Sequence, residues 1–293
     1  MNIELARTFL EVAAAGSMSI AAERLNVTHS TVTVRIKTLE DILRRPVLVR
    51  NRSGATLTAD GVRFKEFAET LVRTWMMTRR HMSLASGFES ILSIGFDRSL
   101  WTGVLDEWVH QTRKSKPKIA IRCEQDSSER LLQRLFEGWL DVCIVYETKS
   151  RSGFRAERLF DDPLVTVSTE QRNEVPWDPK HISIDYGAAT KYQEGLLWGE
   201  LDETPHLSVS DLSMALEFIC RFGGSILLPK RMLSSPALRV PLYPVPNQPQ
   251  LERTAYLVYS IEALKTRLPK LAVKQLKASF VKQFEGAQNI WAD

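Results

Sequence analysis

Between Ser19 and Leu43 the chain carries a run of small, hydroxylated and basic residues on what reads as two short helices joined by a tight turn. Val32, Ile36, Leu39 and Leu43 recur at helical spacing and form an inward stripe. The opposite face presents His29, Ser30, Thr31, Thr33, Val34 and Lys37, with Arg35 to one side. Hydroxyls and an imidazole near a helix N-terminus can reach base edges or phosphate. The free amides of the first turn add a positive end beside the nucleic-acid backbone. Val34 offers only apolar contact, as to a thymine methyl. The chemistry this pattern predicts is recognition of duplex DNA through the major groove.

The flanking residues supply the elements that would hold this face. Leu5, Phe9 and Val12 give the first helix, from about Ile3 to Ala15, one buried stripe, and Gly16 ends it. Ser17 or Ser19 can cap the next helix, in which Ala21 and Ala22 leave room for a close neighbour and Leu25 completes the apolar face. Asn26 suits the tight turn, and Thr28 can cap the reading helix. Val47–Arg50 and Ala55–Leu57, about the turn Asn51-Arg52-Ser53-Gly54, read as a two-stranded wing. Arg50 and Arg52 stand where a wing meets phosphate or the minor groove.

These residues resemble the winged helix-turn-helix of LysR-type transcriptional regulators. The pattern is carried by Ala21-Ala22, Leu25, Thr28-His29, Val32-Thr33, Ile36, Leu39-Glu40, Leu57-Thr58 and Gly61. The chain departs from it at His29, where the family has Gln, and at Val34, where it has Arg. It also departs at Arg44, where a glycine ends the helix, and at Leu48, where an aromatic residue leads into the wing. The first two departures bear on which bases are preferred and not on how the module docks.

Charge is distributed accordingly. The first 86 residues hold 13 Lys and Arg against 8 Asp and Glu, and the remainder holds 26 against 27. A basic module on a near-neutral body fits a nucleic-acid-binding segment joined to something else. The 293 residues suffice for about two domains at roughly 150 residues each. No apolar run reaches the ~18 residues of a membrane span, so no membrane association is expected. Met1-Asn2-Ile3-Glu4-Leu5 lacks the basic, apolar character of a secretory leader. Cys123, Cys143 and Cys220 have no metal-ligand spacing and read as buried thiols of a cytoplasmic protein.

After the wing, Thr58 can cap a long helix with Asp60 in its first turn. Phe64, Ala68, Leu71, Trp75, Thr78, Met82 and Ala85 then alternate at spacings of four and three, a heptad seam. A helix of ~27 residues, about 40 Å long, cannot bury such a seam alone. The expectation is a dimer held through Phe64, Leu71, Trp75 and Met82, placing two reading helices on the half-sites of an interrupted palindrome. The resemblance implies the same linker helix and often a dimer of dimers, so a homodimer or homotetramer, with RNA polymerase as a partner if the protein activates.

From Ile91 onward, short apolar runs alternate with helical segments, which predicts parallel sheets covered on both faces. One set of such units runs through Ile91–Phe96, Ile119–Cys123 and Val142–Tyr146. A second begins near Leu164–Val167 and includes Ile182–Ile184, Leu207–Val209 and Gly223–Pro229. The strand near Ala255–Tyr259 and a last helix, Ala263 to about Phe284, lead back to the first set. Gly138, Leu140-Asp141 and Gly224–Pro229 resemble the family's two-lobed, type 2 periplasmic-binding-protein-like effector domain, with Phe222 where the family has a glycine. Leu100-Trp101, Trp108, Trp75 and Tyr186-Gly187 are similar to its HdfR-like branch. The boundaries expected are 1–58 for the DNA-binding domain, 59–87 for the linker helix and 88–293 for the regulatory body. Within that body, lobe I spans 88–161 and 260–293, and lobe II spans 162–259.

Ligands in such folds sit between lobes, at the C-terminal ends of strands. The candidates are Asp97, Ser99, Trp101, Ser127, Ser128, Tyr146, Ser168, Ser210 and Asp211. Each serine has an ordinary alternative as a helix cap, and Trp101 and Tyr146 as core. Asp97 would repel an acid, which leaves a neutral or zwitterionic small-molecule effector, or none.

An enzyme is disfavoured. The sequence holds no Gly-x-Ser-x-Gly elbow, phosphate loop or His-Glu-x-x-His, and its five histidines have no partners at metal or triad spacing. No cofactor or metal is called for. The alternatives are a cytoplasmic solute-binding protein or enzyme with a helical cap, and an effector-independent repressor with a purely structural body.

Overall fold

The computed structural model describes residues 2–51, 54–100, 105–172, 178–198, 205, 207–234, 238–261 and 273–280. Two compact units result: Met1–Ser86 with Phe136–Trp139, and Gly87–Leu135 with Leu140–Asp293.

In the first unit, α1 (Ile3–Ala15), α2 (Met18–Arg24) and α3 (His29–Leu43) precede a hairpin of β1 (Leu48–Asn51) and β2 (Gly54–Leu57). Each helix begins on the side-chain cap its sequence offers. Asn2 accepts the Glu4 amide, Ser17 the Ile20 amide and Thr28 the Thr31 amide. Gly16 ends α1 with a left-handed backbone at φ 62°. Its carbonyl then accepts the Ala55 amide at 2.8 Å, which docks the wing against the end of α1. The approach is close enough that a Cβ on Gly54 would lie 2.2 Å from that carbonyl oxygen. Phe9, Val12, Ala21, Val32, Ile36 and Leu39 are fully buried together.

The long helix α4 (Ala59–Met82) starts on Thr58, whose hydroxyl accepts the Gly61 amide at 2.8 Å. Gly61 passes against the Val47 carbonyl, where a Cβ would lie 2.0 Å from oxygen. Its first turns complete the core of the first unit and do not present a seam. Phe64 packs its ring 5.1 Å from that of Phe9, and Ala68 is wholly buried. The expected dimer seam is therefore corrected in its first half. The exposed apolar side chains of the helix are Val62, Phe67, Leu71, Trp75 and Met82. Phe67 is 68% exposed, whereas Phe64 packs inward. The physical reason is that α1 needs an apolar partner, and the Phe64–Ala68 face supplies it. The helix also stops at Met82, short of Ala85.

The second unit contains two sheets. The first has strand order β4-β3-β5-β12-β6, built from β3 (Ser90–Asp97), β4 (Ile119–Asp126), β5 (Val142–Val145), β6 (Phe154–Asp161) and β12 (Thr254–Ser260). Helices α5 (Asp106–Ser115) and α6 (Ser128–Phe136) connect β3 to β4 and β4 to β5. Phe96, Leu100, Trp108, Ile144, Tyr259 and Phe280 form its core. Residues 273–280 are helical, and the rest of the expected last helix lies outside the described residues. The second sheet has order β11-β7-β10-β8-β9, from β7 (Leu164–Ser168), β8 (His181–Ile184), β9 (Leu207–Val209), β10 (Ser225–Pro229) and β11 (Tyr243–Pro244). Helix α7 (Ala188–Trp198) follows β8, and α8 (Leu212–Phe222) follows β9.

Both sheets are mixed, which corrects the expectation of parallel sheets. β12 runs antiparallel between β5 and β6, and β7 runs antiparallel to both β10 and β11. β12 already belongs to the first sheet, so the chain returns at about Arg253 and not at residue 260 as drawn for lobe II. The edge strand β6 escapes a hydrophobic reading because Arg155, Glu157 and Arg158 interrupt it. The lobes thus join through two crossovers, one after Asp161 and one before Thr254.

Candidate nucleic-acid interface and interlobe cleft

Thr28 gathers the hydroxyls at the start of α3, with Ser30 Oγ and Thr31 Oγ1 each 2.8 Å from its own oxygen. His29, Ser30, Val34 and Lys37 are exposed, and Val34 is 63% so. Thr31, Thr33 and Arg35 are half-buried. These seven expected residues do not all serve one surface. Thr33 turns its hydroxyl into a buried position with no hydrogen-bond partner. Arg35 reaches back to α1, donating to Thr8 Oγ1 at 3.2 Å and lying 3.6 Å from Glu4. Thr8 in turn donates to the Glu4 carbonyl at 2.7 Å. Arg35 therefore braces α3 against α1. Arg50 sits in β1, its side chain lies outside the description, and Arg52 lies outside the described residues altogether.

Arg44 caps α3 with a left-handed backbone at φ 53°. A non-glycine residue there is strained by roughly 1–2 kcal/mol. Asn26 makes the turn between α2 and α3 with φ 52°, the conformation its short amide tolerates.

In the two-lobed unit, the C-terminal end of β3 lies where the strand order reverses between β4 and β5. Crevices form at such switch points. Asp97 ends β3, and its carboxylate accepts from the Ser99 amide at 3.2 Å, the Ser99 hydroxyl at 3.0 Å and the Ser128 hydroxyl at 2.7 Å. Ser128 Oγ also accepts the Tyr146 amide at 3.0 Å. Four of the expected ligand-site residues, Asp97, Ser99, Ser128 and Tyr146, thus come together in one bonded group. Ser127 hands its amide to Asp126 at the start of α6. Ser168 accepts the Glu170 amide, and Asp211 caps α8 through the Ser213 and Met214 amides. The Ser210 carbonyl accepts from Arg98 at 3.4 Å, across the lobes. Trp101 lies outside the described residues.

Beside this group is an ionic cluster that the sequence does not reveal. Asp162, 1% exposed, lies at the first crossover. Tyr146 donates its hydroxyl to Oδ2, which also accepts from Arg253 Nη2 at 3.1 Å. Arg231 Nε lies 3.1 Å from Oδ1 without hydrogen-bond alignment. The Arg253 guanidinium lies over two rings, 3.6 Å from the Tyr146 centroid and 4.8 Å from that of Tyr186. Burial opposes the charge on Arg253, but Tyr146 and Asp162 outweigh it and hold its pKa above the usual value. Burial pushes the Tyr146 and Tyr186 hydroxyls up.

Among the described residues, three further hydrogen bonds tie the lobes. Arg231 donates to the Ser99 carbonyl, Arg98 to the Ser210 carbonyl, and Glu147 accepts the Ala189 amide at 3.1 Å. Asp162, Arg231 and Arg253 each sit at a crossover or beside an apolar strand, and nothing in the sequence pairs them.

Comparison with known proteins agrees with this arrangement. The model for the bacterial regulatory helix-turn-helix protein, lysR family, matches residues 3–62, and that for the LysR substrate binding domain matches residues 85–281. The chain belongs to the LysR family. It is a LysR-type transcriptional regulator with an effector-binding domain, in a family of regulators and not of enzymes. The LysR-type regulator HdfR of Escherichia coli O139:H28 is 29% identical over 262 residues, covering 88% of this chain and 92% of that protein. This agrees with the narrower resemblance carried by Leu100-Trp101, Trp108, Trp75 and Tyr186-Gly187. Among solved LysR structures, a full-length OxyR variant from Pseudomonas aeruginosa aligns with a TM-score of 0.55 at 19% identity, over 96% of this chain and 95% of that one. Full-length LysG from Corynebacterium glutamicum, with bound effector Arg, aligns with a TM-score of 0.56 at 18% identity, over 96% and 99%. Both likenesses concern the fold. Among the described residues, no helix is long and apolar enough to cross a membrane.

Proposed function

We propose that this LysR-type regulator works as a cytoplasmic homodimer, or a dimer of such dimers, that reads an interrupted palindrome and answers to a small molecule held between its two lobes. The observation that carries the DNA-reading part is the division of α3. Val32, Ile36 and Leu39 are fully buried, while His29, Ser30, Val34 and Lys37 are exposed on the other side. A helix so anchored can enter the major groove with its polar N-terminal half leading. Lys37, Arg50 and Arg52 supply phosphate contacts, and Val34 supplies apolar contact with a thymine methyl.

Dimerisation rests on Phe67, Leu71, Trp75 and Met82, an exposed apolar set on a 24-residue helix of about 36 Å. A second copy of the same helix is the partner whose stripe matches in length and spacing. The small-molecule part rests on Asp97, Ser99, Ser128 and Tyr146 at the switch point of the first sheet. A ligand shifts the regulator only as far as its affinities for two arrangements of the molecule differ. Where the outcome is activation, RNA polymerase is the further partner.

The test is a salt titration of the full chain against a duplex selected from random DNA. Each neutralised phosphate should contribute about −0.9 to the slope of log affinity against log salt. Affinity that does not change with salt, or that is equal for every duplex, would remove the reading.

A further inference from the structure

Within the proposed interlobe site, Arg253 and Asp97 have unused hydrogen-bonding capacity of opposite kinds. Arg253 is 6% exposed, and its Nε and Nη1 have no hydrogen-bond partner. Only Nη2 meets Asp162. An unfilled buried donor is costly, and more so when charged. Asp162 spends Oδ2 on Tyr146 and on Arg253 Nη2, and its Oδ1 faces Arg231 Nε at 3.1 Å, not the remaining donors of Arg253. Asp97, 8% exposed, takes two donors on Oδ1 and one on Oδ2. A carboxylate has about four lone-pair positions, so Asp97 keeps an acceptor to spare.

The charges of the group also balance. Arg231 and Arg253 face Asp162 and Asp97, and the field of Asp97 is felt at Arg253. Adding a lone anion or a lone cation would leave one uncompensated charge in a buried place, which is costly. A ligand bearing both charges adds none.

Resting on the effector reading above, we propose that the cleft takes a small zwitterion of the α-amino acid type, its carboxylate on the buried, unpaired Nε and Nη1 donors of Arg253 and its ammonium on Asp97. Arg253 thereby selects the acid end. Ser99 and Ser128 hold Asp97 in place to select the amine end. Tyr146 and Tyr186 both lie against the guanidinium and help to hold it in place. The same geometry explains why Asp97 does not exclude a carboxylate, as it would by itself: the acid end is received by a different residue. With Arg98, Arg231 and Glu147 tying the lobes shut, entry requires those ties to part.

The experiment is thermal unfolding of the full chain with each of the twenty common L-amino acids in turn. For any that stabilises, the N-acetyl derivative, which lacks the ammonium, and the carboxamide, which lacks the carboxylate, are titrated alongside. At least one free amino acid should stabilise the chain, and both derivatives should bind at least about tenfold more weakly. Asp97→Asn keeps the shape of the site and should lower affinity for the free amino acid about tenfold while narrowing its advantage over the N-acetyl form. Arg253→Gln should narrow the advantage over the carboxamide in the same way. If Arg253→Gln does not fold, Asp97→Asn and the derivative series on the unaltered chain decide the matter. Equal binding of the free amino acid and either derivative would overturn the proposal. Stabilisation by another class of metabolite and by no amino acid would overturn it while leaving the effector reading intact. Indifference to every class of small metabolite would remove both.

Discussion

Two cations on α3 should behave differently when removed, although they are only two residues apart. Arg35 is tied to α1 through Thr8 and Glu4, with its side chain 26% exposed, whereas Lys37 is exposed. Arg35→Ala deletes one charge-assisted hydrogen bond and one half-screened ion pair. It also leaves the α1–α3 contact without its brace. Hydrogen bonds to charged groups contribute about 1.5–3 kcal/mol, and screening at a partly exposed site reduces this to about 1–2 kcal/mol. Lys37→Ala should change stability by less than about 0.5 kcal/mol, as surface substitutions do. In DNA binding the order reverses. Loss of Lys37 should flatten the salt dependence by about 0.9 per protomer, while loss of Arg35 should leave the slope nearly unchanged at temperatures where the variant is folded. Urea unfolding and fluorescence anisotropy at several salt concentrations measure both. A variant lacking Arg35 with unchanged stability and a flattened slope would refute the assignment of Arg35 as a brace.

Three further outcomes follow from local geometry. Gly54→Ala should cost about 2–4 kcal/mol, measured by urea unfolding, because its Cβ would collide with the Gly16 carbonyl and break the Ala55–Gly16 hydrogen bond at a positive φ of 135°. Arg44→Gly should stabilise the protein by about 0.5–1 kcal/mol, since relief of the left-handed strain exceeds the added flexibility of the unfolded chain. Glu194, whose pKa burial raises to about 7, favours its neutral form in the folded chain. That stability is fully present below the unfolded value of 4.5 and is lost as pH rises through about 7. Thermal unfolding of Glu194→Gln should therefore show it more stable than the parent at pH 8, by about 1 kcal/mol after solvent screening, and no more stable at pH 4.

The reading module was legible in the sequence because its information is local. Caps at Ser17 and Thr28, the stop at Gly16 and the stripe Val32–Ile36–Leu39 each act over a few residues. The α4 seam was only half legible. Phe64 and Ala68 satisfy a heptad as well as they satisfy packing on Phe9, and spacing cannot say which partner is present. The mixed character of the sheets was hidden because β12 reads as a buried strand whichever way it runs, and charged residues mask β6. The Asp162–Arg231–Arg253 cluster was not legible at all. Its members lie up to 91 residues apart, and nothing near any of them in sequence names its partner. The rule that strand ends line crevices picks out Asp97, Ser99, Ser128 and Tyr146, which the structure joins in one hydrogen-bonded group. Applied alone, the same rule also drew in Ser168 and Asp211, whose hydrogen bonds are local.

The central claim is that paired copies of this chain present α3 to the major groove of a specific duplex. Hydroxyl-radical footprinting of the full chain on a selected sequence tests it most directly. Two protected windows are expected on one face of the duplex, separated by a whole number of helical turns of about 10 base pairs and lost together in Val34→Glu/Lys37→Ala. A single window at every site, or no protection on any sequence, would contradict it.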